Sequence, residues 1–503
     1  MINVGGPRCQ LFYLSLKKRL DRIFVEMIKW SYQSHPQHEF NHEPFGGESP
    51  AERLGKKKVF ASDAELLCYS YDATPLISHR PEVVVRVEEA EDIRSVLEFA
   101  TQEGLPVTTR GSGTGLSGGS VPVRGGILLL TTAMNRILEI DAEDLSVTVE
   151  PGVITAHLHA AVEALGLFYP PDPGSMKIST IGGNVAENAG GLRGLKYGVT
   201  GDYLLSLDMY LVDGSKVTYG TKCVKDVAGY NLTRFMAGTE GTIGVFSRIV
   251  LRLIPKPQTK ITFLALYDDI LDAARTVSAI ISRKVIPSTL ELMDTVTIKC
   301  VEDYVNIGLP RDVQALLLIE TDGHPEVVKE EAAVIQQACT ANRARTLRVA
   351  LDAKESEELF TARRNALSAL ARVRPTTILE DITVPRPAIP EMMAAITQVA
   401  KEFGITIGTF GHAGDGNLHP TCLTDERDQD EIHRVEQAYE VIFDKAIRLG
   451  GTISGEHGTG IAKAKYLPRM VGTQAMNIMR RIKRAFDPEE RLNPGKIFPS
   501  DAA

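Results

Sequence analysis

The chain has 503 residues, a formal net charge of −8, 43% hydrophobic residues and 24% charged residues. A single hydrophobic core stops growing near about 250–300 residues, so this length predicts two or more globular domains. The acidic balance disfavours nucleic acid as a partner, because a negatively charged surface repels a phosphate backbone.

The N-terminal segment, residues 11–30, carries apolar residues at helical spacing. Lys17, Lys18, Arg19 and Arg22 interrupt the apolar stretch that a secretory signal peptide needs, and the sequence has no run of about 20 apolar residues that would span a membrane. We therefore predict an N-terminal extension, residues 1–55, with an amphipathic helix that packs on protein or lies on a membrane surface. The expected location is cytoplasmic, with membrane association at the inner face as the alternative.

A β–α–β pattern follows a polar linker. Val83–Val87 and Pro106–Thr109 are runs typical of strands, and Ala90–Gln102 between them has helical periodicity. A further strand is predicted over Ile127–Leu130.

Between these last two strands lies the glycine-rich segment Arg110–Gly119, RGSGTGLSGG. It contains the pattern G-x-G-x-x-G, but no helix follows it, so the Rossmann interpretation fails. The backbone N–H groups of such a loop can bind a diphosphate, although a tight structural turn would have the same composition.

Two further glycine clusters are Pro170–Gly198 and Gly238–Leu253. Glycine inside a regular element costs roughly 0.5–1 kcal/mol relative to alanine, so this density favours close approach of the backbone to a large planar ligand. Leu253–Lys260 then supplies two prolines, which predict a rigid link to a second domain.

Beyond the link, strand-like runs such as Ala315–Ile319 alternate with predicted helices, as in an α+β or α/β domain. The helices are expected at Ala353–Val373, Glu391–Phe403 and Asp430–Leu449. In the first of them, Arg363 lies on an apolar stripe, where an unpaired cation would be costly. Arg363 therefore forms an ion pair or extends its charge to solvent, or it binds a substrate carboxylate, and neighbouring Arg364 is a rival for that role.

The motif Gly411–His419, GHAGDGNLH, predicts a hairpin. A two-residue turn centred on Asp415 and Gly416 would place His412 directly opposite His419, with Cβ atoms about 4.5–5.5 Å apart. Two imidazoles at that distance can bind one divalent ion, or they can simply pack. Glu456, in a later GEHG motif, would complete a set of two histidines and one carboxylate with open coordination positions.

These motifs together resemble a known family. The three glycine clusters, in this order, look like the FAD domain of the vanillyl-alcohol-oxidase-type (PCMH-type) flavoproteins. Residues 60–500 are similar to the branch that contains glycolate oxidase catalytic subunits and D-lactate or D-2-hydroxyglutarate dehydrogenases. The resemblance implies an α+β fold with a two-part PCMH-type FAD-binding domain (56–255), an α/β substrate or cap domain (256–480) and a C-terminal segment (481–503) that returns to the flavin.

The resemblance also implies a binding site for FAD, held without a covalent bond because the first glycine loop has no histidine. The pyrophosphate would lie on Arg110, Gly111, Ser112, Gly113, Thr114, Gly115, Leu116, Ser117 and Gly118. The flavin ring and ribityl chain would lie near Pro171, Asp172, Ser175, Thr180, Gly182, Gly183, Asn184, Asn188 and Gly191. The adenosine end would lie near Gly241, Thr242, Ile243 and Gly244. Asn493 would approach the flavin, or would merely follow the end of a helix.

The same resemblance implies that His412, His419 and Glu456 bind a divalent metal, zinc or a similar ion. His457 would be the catalytic base and Arg363 the group that binds the substrate carboxylate. The expected reaction is FAD-dependent oxidation of a small 2-hydroxy acid, of glycolate or D-lactate type, by hydride transfer to the flavin. The alternatives are a metal-dependent hydrolase and a non-catalytic FAD-binding subunit of a larger oxidase complex.

The cysteines bear on how electrons would leave the protein. The six are far apart in the sequence, at Cys9, Cys68, Cys223, Cys300, Cys339 and Cys422. This spacing lacks the close pairs of iron–sulfur or zinc sites and indicates a reducing compartment. Electrons must then pass to oxygen, a quinone or another protein, and the resemblance implies an iron–sulfur or quinone-linked acceptor subunit.

Overall fold

The computed structural model of the protein describes residues 55–499. The predicted N-terminal amphipathic helix lies outside the described residues. Within them, the chain forms three main β-sheets with helices packed against them.

The first sheet has four strands in the order β1-β2-β4-β3. They are β1 (Val59–Phe60), β2 (Val83–Arg86), β3 (Val107–Arg110) and β4 (Ile127–Leu130). The last three are parallel, and the apolar runs of β2 and β4 are buried, as expected for strands covered on both faces. The flanking helices are α1 (Asp63–Cys68) and α2 (Ala90–Glu103), the latter ended by left-handed Gly104. A 3₁₀ turn at Lys56–Lys58 precedes β1.

The second sheet has five antiparallel strands in the order β5-β6-β10-β8-β9. They are β5 (Ile137–Asp141), β6 (Ser146–Val149), β8 (Leu204–Tyr210), β9 (Lys216–Gly220) and β10 (Val245–Arg252). A short pair, β7 (Leu167–Phe168) and β11 (Ile254–Pro255), lies beside it. The helices of this region are α3 (Thr155–Glu163), α4 (Ile181–Glu187), α5 (Gly194–Tyr197), α6 (Thr200–Tyr203) and α7 (Leu232–Met236).

Helix α4 lies inside the second glycine cluster, where the sequence predicted only backbone close to a ligand. The Thr180 side chain accepts the N–H of Gly183 and caps the helix. A Cβ on Gly182 would lie 2.7 Å from the Cβ of Pro151. One glycine of this cluster therefore lets a helix pack closely against a neighbouring loop.

The third sheet is built entirely from antiparallel pairs, in the order β15-β12-β14-β13-β18-β19-β16, with β17 paired to β19. Its strands are β12 (Thr259–Tyr267), β13 (Thr289–Asp294), β14 (Ala315–Gly323), β15 (Thr346–Val349), β16 (Thr376–Leu379), β17 (Ile382–Thr383), β18 (Thr406–His412) and β19 (Asn417–Thr424). The helices are α8 (Ile270–Ser282), α9 (Thr295–Val305), α10 (Pro325–Ala341), α11 (Ala353–Arg364), α12 (Ala366–Leu370), α13 (Ile389–Phe403) and α14 (Gln429–Arg448), with a 3₁₀ turn at Arg386–Ala388.

The predicted single helix Ala353–Val373 is wrong. The structure has two helices, α11 and α12, which meet at Asn365. The Asn365 side chain donates a hydrogen bond to the backbone carbonyl of Thr361, and such local bonds compete with a continuous helix.

The predicted hairpin register is also wrong, by two residues. Strands β18 and β19 are joined by a four-residue loop, and His412 pairs with Asn417 while Phe410 pairs with His419. Asp415 stabilises this loop by accepting the N–H of Asn417 at 3.2 Å. A shift of two residues keeps every side chain on its face of the sheet, so the two histidines are diagonal neighbours with ring centroids 5.2 Å apart.

The C-terminal segment returns to the first sheet. After helix α15 (Leu467–Phe486), which is interrupted by non-helical Gly472, Leu492 forms a parallel bridge with Val107. The N–H of Asn493 donates to the carbonyl of Val107 at 2.7 Å. None of the helices between residues 55 and 499 combines the length and apolarity needed to cross a bilayer.

Candidate functional site

A cavity of about 560 Å³ lies between the glycine-rich loops of the first half of the chain and strands β18 and β19 of the second. Residues predicted from the three glycine clusters line it: Gly111, Ser112, Gly113, Thr114, Gly115, Leu116, Ser175, Thr180, Gly182, Gly183, Asn184, Gly241 and Gly244. The predicted catalytic and metal-binding residues line the same cavity: Arg363, His412, His419, Glu456 and His457. The fold therefore brings residues as far apart in the sequence as Gly111 and His457 to one concave site of the size typical for small-molecule ligands.

The other predicted cofactor residues do not line this cavity: Arg110, Ser117, Gly118, Pro171, Asp172, Asn188, Gly191, Thr242, Ile243 and Asn493. Their contacts hold the loops that form the wall. The N–H of Gly118 donates to Oγ1 of Thr74 at 2.7 Å, and the Asn493 side chain donates to the carbonyls of Gly119 and Glu240 at 2.8 and 2.6 Å.

The first glycine loop bends tightly over a buried arginine. Gly113 has φ +69°, and a Cβ there would lie 2.0 Å from Nη2 of Arg110. The Arg110 side chain is itself held by the carbonyl of Tyr71 at 2.7 Å. Among the described residues, the backbone N–H groups of residues 112–116 have no hydrogen-bond acceptor. Such free donors beside a cavity form an anion-binding nest, so the loop fits the diphosphate of FAD.

Three side chains converge on the opposite wall. His412 ends strand β18, His419 lies in strand β19, and Glu456 lies in the loop that follows helix α14. Oε1 of Glu456 is 3.0 Å from Nε2 of His412 and 3.5 Å from Nε2 of His419. All three donor atoms lie within 4.8 Å of one another.

Carboxylates also face the second nitrogen of each histidine. Oε1 of Glu291 is 2.8 Å from Nδ1 of His412, and Oδ1 of Asp381 is 3.6 Å from Nδ1 of His419. Metal-ligating histidines almost always have such an outer partner, which fixes the tautomer and orients the ring. The donor types and their surroundings therefore fit a divalent cation.

The protonation of this cluster follows from its charges. Burial would raise the pKa of Glu456, but the two histidines outweigh it and hold that pKa well below its ordinary value. Burial would lower the pKa of His412, yet the carboxylates of Glu291 and Glu456 raise it well above its ordinary value. The acid is thus ionised, as a metal ligand must be, whereas His412 must release a proton when it binds a metal ion.

Asp381 organises the loop that carries Glu456 and His457. Its Oδ2 atom accepts the N–H groups of Gly455, Glu456 and His457 at 2.8, 2.9 and 2.9 Å. Burial alone would raise its pKa, but His457, Lys463 and His419 hold that pKa below its ordinary value. The ionised carboxylate therefore fixes the backbone on which two predicted site residues stand.

His457 stacks on His419, with ring centroids 5.0 Å apart and planes 7° from parallel. Its Nδ1 atom is 4.0 Å from Oδ2 of Asp381. Burial lowers the pKa of His457 to about 4, with Asp381 opposing that shift. The imidazole is therefore neutral at pH 7 and can accept a proton.

Arg363 is buried between an acid and an aromatic ring. Its Nη2 atom is 2.5 Å from Oε2 of Glu291, and its guanidinium carbon lies 4.8 Å from the Phe410 ring centroid. Its Nε atom has no hydrogen-bond partner in the described part of the chain. Arg364, also on the cavity wall, donates to Asp172 at 2.7 Å. Arg363 thus forms the ion pair that the sequence allowed and keeps a free donor.

Sequence reasoning missed the two acids that face the outer nitrogens of the histidines. Glu291 is a charged residue inside the buried strand β13, TLELMD, and its place in an apolar run could have marked it. Asp381 lies between strands β16 and β17 and is fully buried. Its role depends on contacts with residues more than seventy positions away, so no local pattern could show it.

Two family models match the chain. The model described as FAD binding domain matches residues 81–220, and the model described as FAD linked oxidases, C-terminal domain, matches residues 256–497.

Curated relatives match over most of their length. The protein is 53% identical to the glycolate oxidase subunit GlcD of Bacillus subtilis over 448 residues, which are 89% of this chain and 95% of the relative. It is 35% identical to glycolate oxidase subunit GlcD of Escherichia coli, covering 88% and 89% of the two chains. It is 36% identical to a D-lactate dehydrogenase of Archaeoglobus fulgidus, covering 85% and 95%.

Solved structures share the fold. p-Cresol methylhydroxylase with substrate bound superposes with a TM-score of 0.76 at 16% identity, over 90% of this chain and 96% of that one. The 4-ethylphenol oxidase of Gulosibacter chungangensis gives a TM-score of 0.73 at 17% identity, over 90% and 97%. These matches confirm the α+β PCMH-type fold predicted from the glycine clusters. The chain therefore belongs to the FAD-linked oxidase family that includes the glycolate oxidase subunit GlcD and D-lactate dehydrogenases, and it is an FAD-dependent oxidoreductase.

Proposed function

We propose that this protein oxidises a small 2-hydroxy acid, of the glycolate or D-lactate type, to the corresponding 2-oxo acid. One observation carries the proposal: the glycine loops line the same cavity as a cluster of polar side chains, namely Arg363, His412, His419 and Glu456. Relatives with 35–53% identity are named for oxidation of such acids.

Two groups, when bound, would supply part of the chemistry. FAD, bound non-covalently along the glycine loops, supplies the acceptor for the hydride of the α-carbon. A divalent ion such as Zn²⁺, held by His412, His419 and Glu456, supplies a Lewis acid that lowers the pKa of the substrate hydroxyl.

The protein's own residues bind and deprotonate the substrate. Arg363 binds its carboxylate, because a guanidinium offers a planar fork of donors and the Nε atom of this one is free. His457 accepts the hydroxyl proton, because its imidazole is buried, neutral and on the cavity wall. Asp381 holds the His457 backbone in place through the hydrogen bond described above.

Electrons must then leave the reduced cofactor. The six cysteines of the sequence lack the close spacing that is typical of iron–sulfur sites. Two relatives are named as subunits of glycolate oxidase. We therefore propose a separate acceptor subunit, with an iron–sulfur cluster or a link to quinone.

The test is anaerobic reduction of the purified, FAD-loaded protein. Glycolate, D-lactate and D-2-hydroxyglutarate are mixed with it in turn, and flavin absorbance is followed; turnover is then measured with an artificial electron acceptor. At least one acid should bleach the flavin in the wild type and do so far more slowly in His457→Gln, which keeps a polar side chain but lacks the base. A yellow protein that none of these acids reduces would contradict the proposed substrate class.

A further inference from the structure

Glu187 is a carboxylic acid on the cavity wall that the proposed reaction does not use. It is the last residue of helix α4 and lines the cavity. Its Oε2 atom is shielded from solvent and has no hydrogen-bond partner within residues 55–499. Neither carboxyl oxygen forms a hydrogen bond within these residues, and Oε1, which unlike Oε2 is not shielded, is the atom that can meet a ligand in the cavity. Polar groups inside native proteins are nearly always paired, so this unpaired carboxyl group indicates a ligand contact.

The carboxyl group lies where two loops of the site meet. A Cβ on Gly119, at the end of the first glycine loop, would lie 2.8 Å from Oε1 of Glu187. A Cβ on Gly458, directly after His457, would lie 2.2 Å from Oε2. Glu187 thus touches both the loop that fits the diphosphate and the loop that carries the proposed base.

The charges around Glu187 favour its uncharged form. Glu240 and Asp72 are nearby acids, while Lys496 is a nearby cation. Glu240 is held by the N–H groups of Thr459 and Gly460, both at 2.7 Å. Burial, followed by Glu240 and Asp72, raises the pKa of Glu187 well above its ordinary value, and Lys496 only partly opposes this. An uncharged carboxyl group has an O–H that can donate a hydrogen bond.

We propose that Glu187 is a cofactor-binding residue whose carboxyl group forms a hydrogen bond with the flavin ring of FAD. Three observations support this assignment: the carboxyl group has no hydrogen-bond partner within the described residues, it lies on the cavity wall, and it contacts the loop that carries His457. It rests on FAD occupying the cavity and is independent of the substrate.

The experiment compares three variants of the full-length protein by two measurements that need no substrate. Glu187→Gln keeps a neutral hydrogen-bond donor of the same shape, and Glu187→Met keeps the volume without a donor. Exposed Glu357→Gln is the matched control. The FAD dissociation constant is measured by titrating the apoprotein, whose folding is checked by circular dichroism, and the flavin reduction potential is measured by dye equilibration.

Glu187→Gln and the control should keep FAD affinity within about twofold and leave the potential unchanged. Glu187→Met should weaken FAD binding about three- to tenfold, the factor for one lost hydrogen bond. Equal affinity in Glu187→Met would overturn the contact. A clear rise in potential in Glu187→Gln would show that the native group is an anion and overturn the uncharged assignment. If Glu187→Met does not fold, Glu187→Ser, which is too short to reach, takes its place with the same expected loss.

Because neither measurement involves turnover, failure here and failure of the proposed 2-hydroxy acid reaction are separate results. If Glu187→Met loses FAD affinity but no 2-hydroxy acid reduces the flavin of the wild type, the Glu187 contact is supported and the proposed substrate class is not.

Discussion

Nδ1 of His412 lies 2.8 Å from Oε1 of Glu291, and both side chains are buried. The other oxygen of the same carboxylate lies 2.5 Å from Nη2 of Arg363. One acid therefore couples a proposed metal ligand to the arginine proposed to bind the substrate carboxylate.

The first prediction concerns this shared acid. Glu291→Gln should lower the affinity for a divalent ion about 10- to 100-fold, because an outer carboxylate orients the ligand histidine and makes it more basic. The measurement is a Zn²⁺ or Mn²⁺ titration of protein freed of metal by chelation. Glu302→Gln is the control, since that buried acid only accepts backbone N–H groups at the end of helix α9. Equal metal affinity in wild type and Glu291→Gln would remove Glu291 from this role.

The second prediction separates the two arginines. Arg363→Ala should lower kcat/KM for the 2-hydroxy acid about 100-fold or more, because truncating one partner of a buried charge pair costs about 2–5 kcal/mol. Arg364→Ala should change kcat/KM much less, because Arg364 pairs with Asp172, which keeps Arg193 at 3.6 Å as a second cation. Steady-state kinetics of both variants decide the matter. The reverse order of effects would transfer the carboxylate-binding role to Arg364.

The third prediction concerns the backbone of the second glycine cluster. Gly191 has φ +115°, and a Cβ there would lie 2.0 Å from the carbonyl oxygen of Asp172. Gly191→Ala should therefore destabilise the protein by about 1–3 kcal/mol or more, since a strained conformation meets a backbone clash. Urea denaturation measures the free energy of unfolding. Gly174→Ala is the control, because a Cβ there meets nothing within 4 Å. Equal stability of the two variants would contradict the tight pairing of residues 172 and 191.

The fourth prediction is a pH dependence away from the site. Burial raises the pKa of Glu82 from 4.5 to about 7, at a position where the N–H of Gly126 donates to its carboxylate. Because the folded pKa is raised, the stabilisation is complete below about pH 4.5 and is lost as pH rises through 7. Glu82→Gln cannot ionise, so its stability relative to wild type should increase by about 2–3 kcal/mol between pH 5 and pH 8.

Denaturant melts of wild type, Glu82→Gln and exposed Glu143→Gln at both pH values measure this difference. The Glu143 variant should follow the wild type at each pH. A constant gap between wild type and Glu82→Gln would show that Glu82 is ionised throughout.

Local sequence patterns predicted the helices and strands whose formation depends on residues close in the sequence. The strand Ile127–Leu130 has the bounds that its apolar run predicts, and helix α13 begins two residues before its predicted start at Glu391. The sequence analysis missed the break at Asn365 because the apolar stripe continues past it. A single hydrogen bond from the Asn365 side chain to the Thr361 carbonyl accompanies the break.

The cluster of His412, His419 and Glu456 shows which part of a site can be predicted from a sequence. The alternation of a hairpin placed His412 and His419 on one face even though the predicted turn was two residues too short. The contacts of Glu291 and Asp381 depend instead on how strand β13 and the segment after β16 pack against that hairpin. Such tertiary contacts have no periodic signature, so these acids could be identified only from the fold.

The cavity wall has one further consequence. Because its two sides come from opposite halves of the chain, a ligand that contacts both sides stabilises the association of the two halves. Loading with FAD should then slow proteolysis of the whole molecule and raise its melting temperature with the logarithm of free cofactor concentration. The cellular lifetime of such a protein would follow the supply of its vitamin precursor.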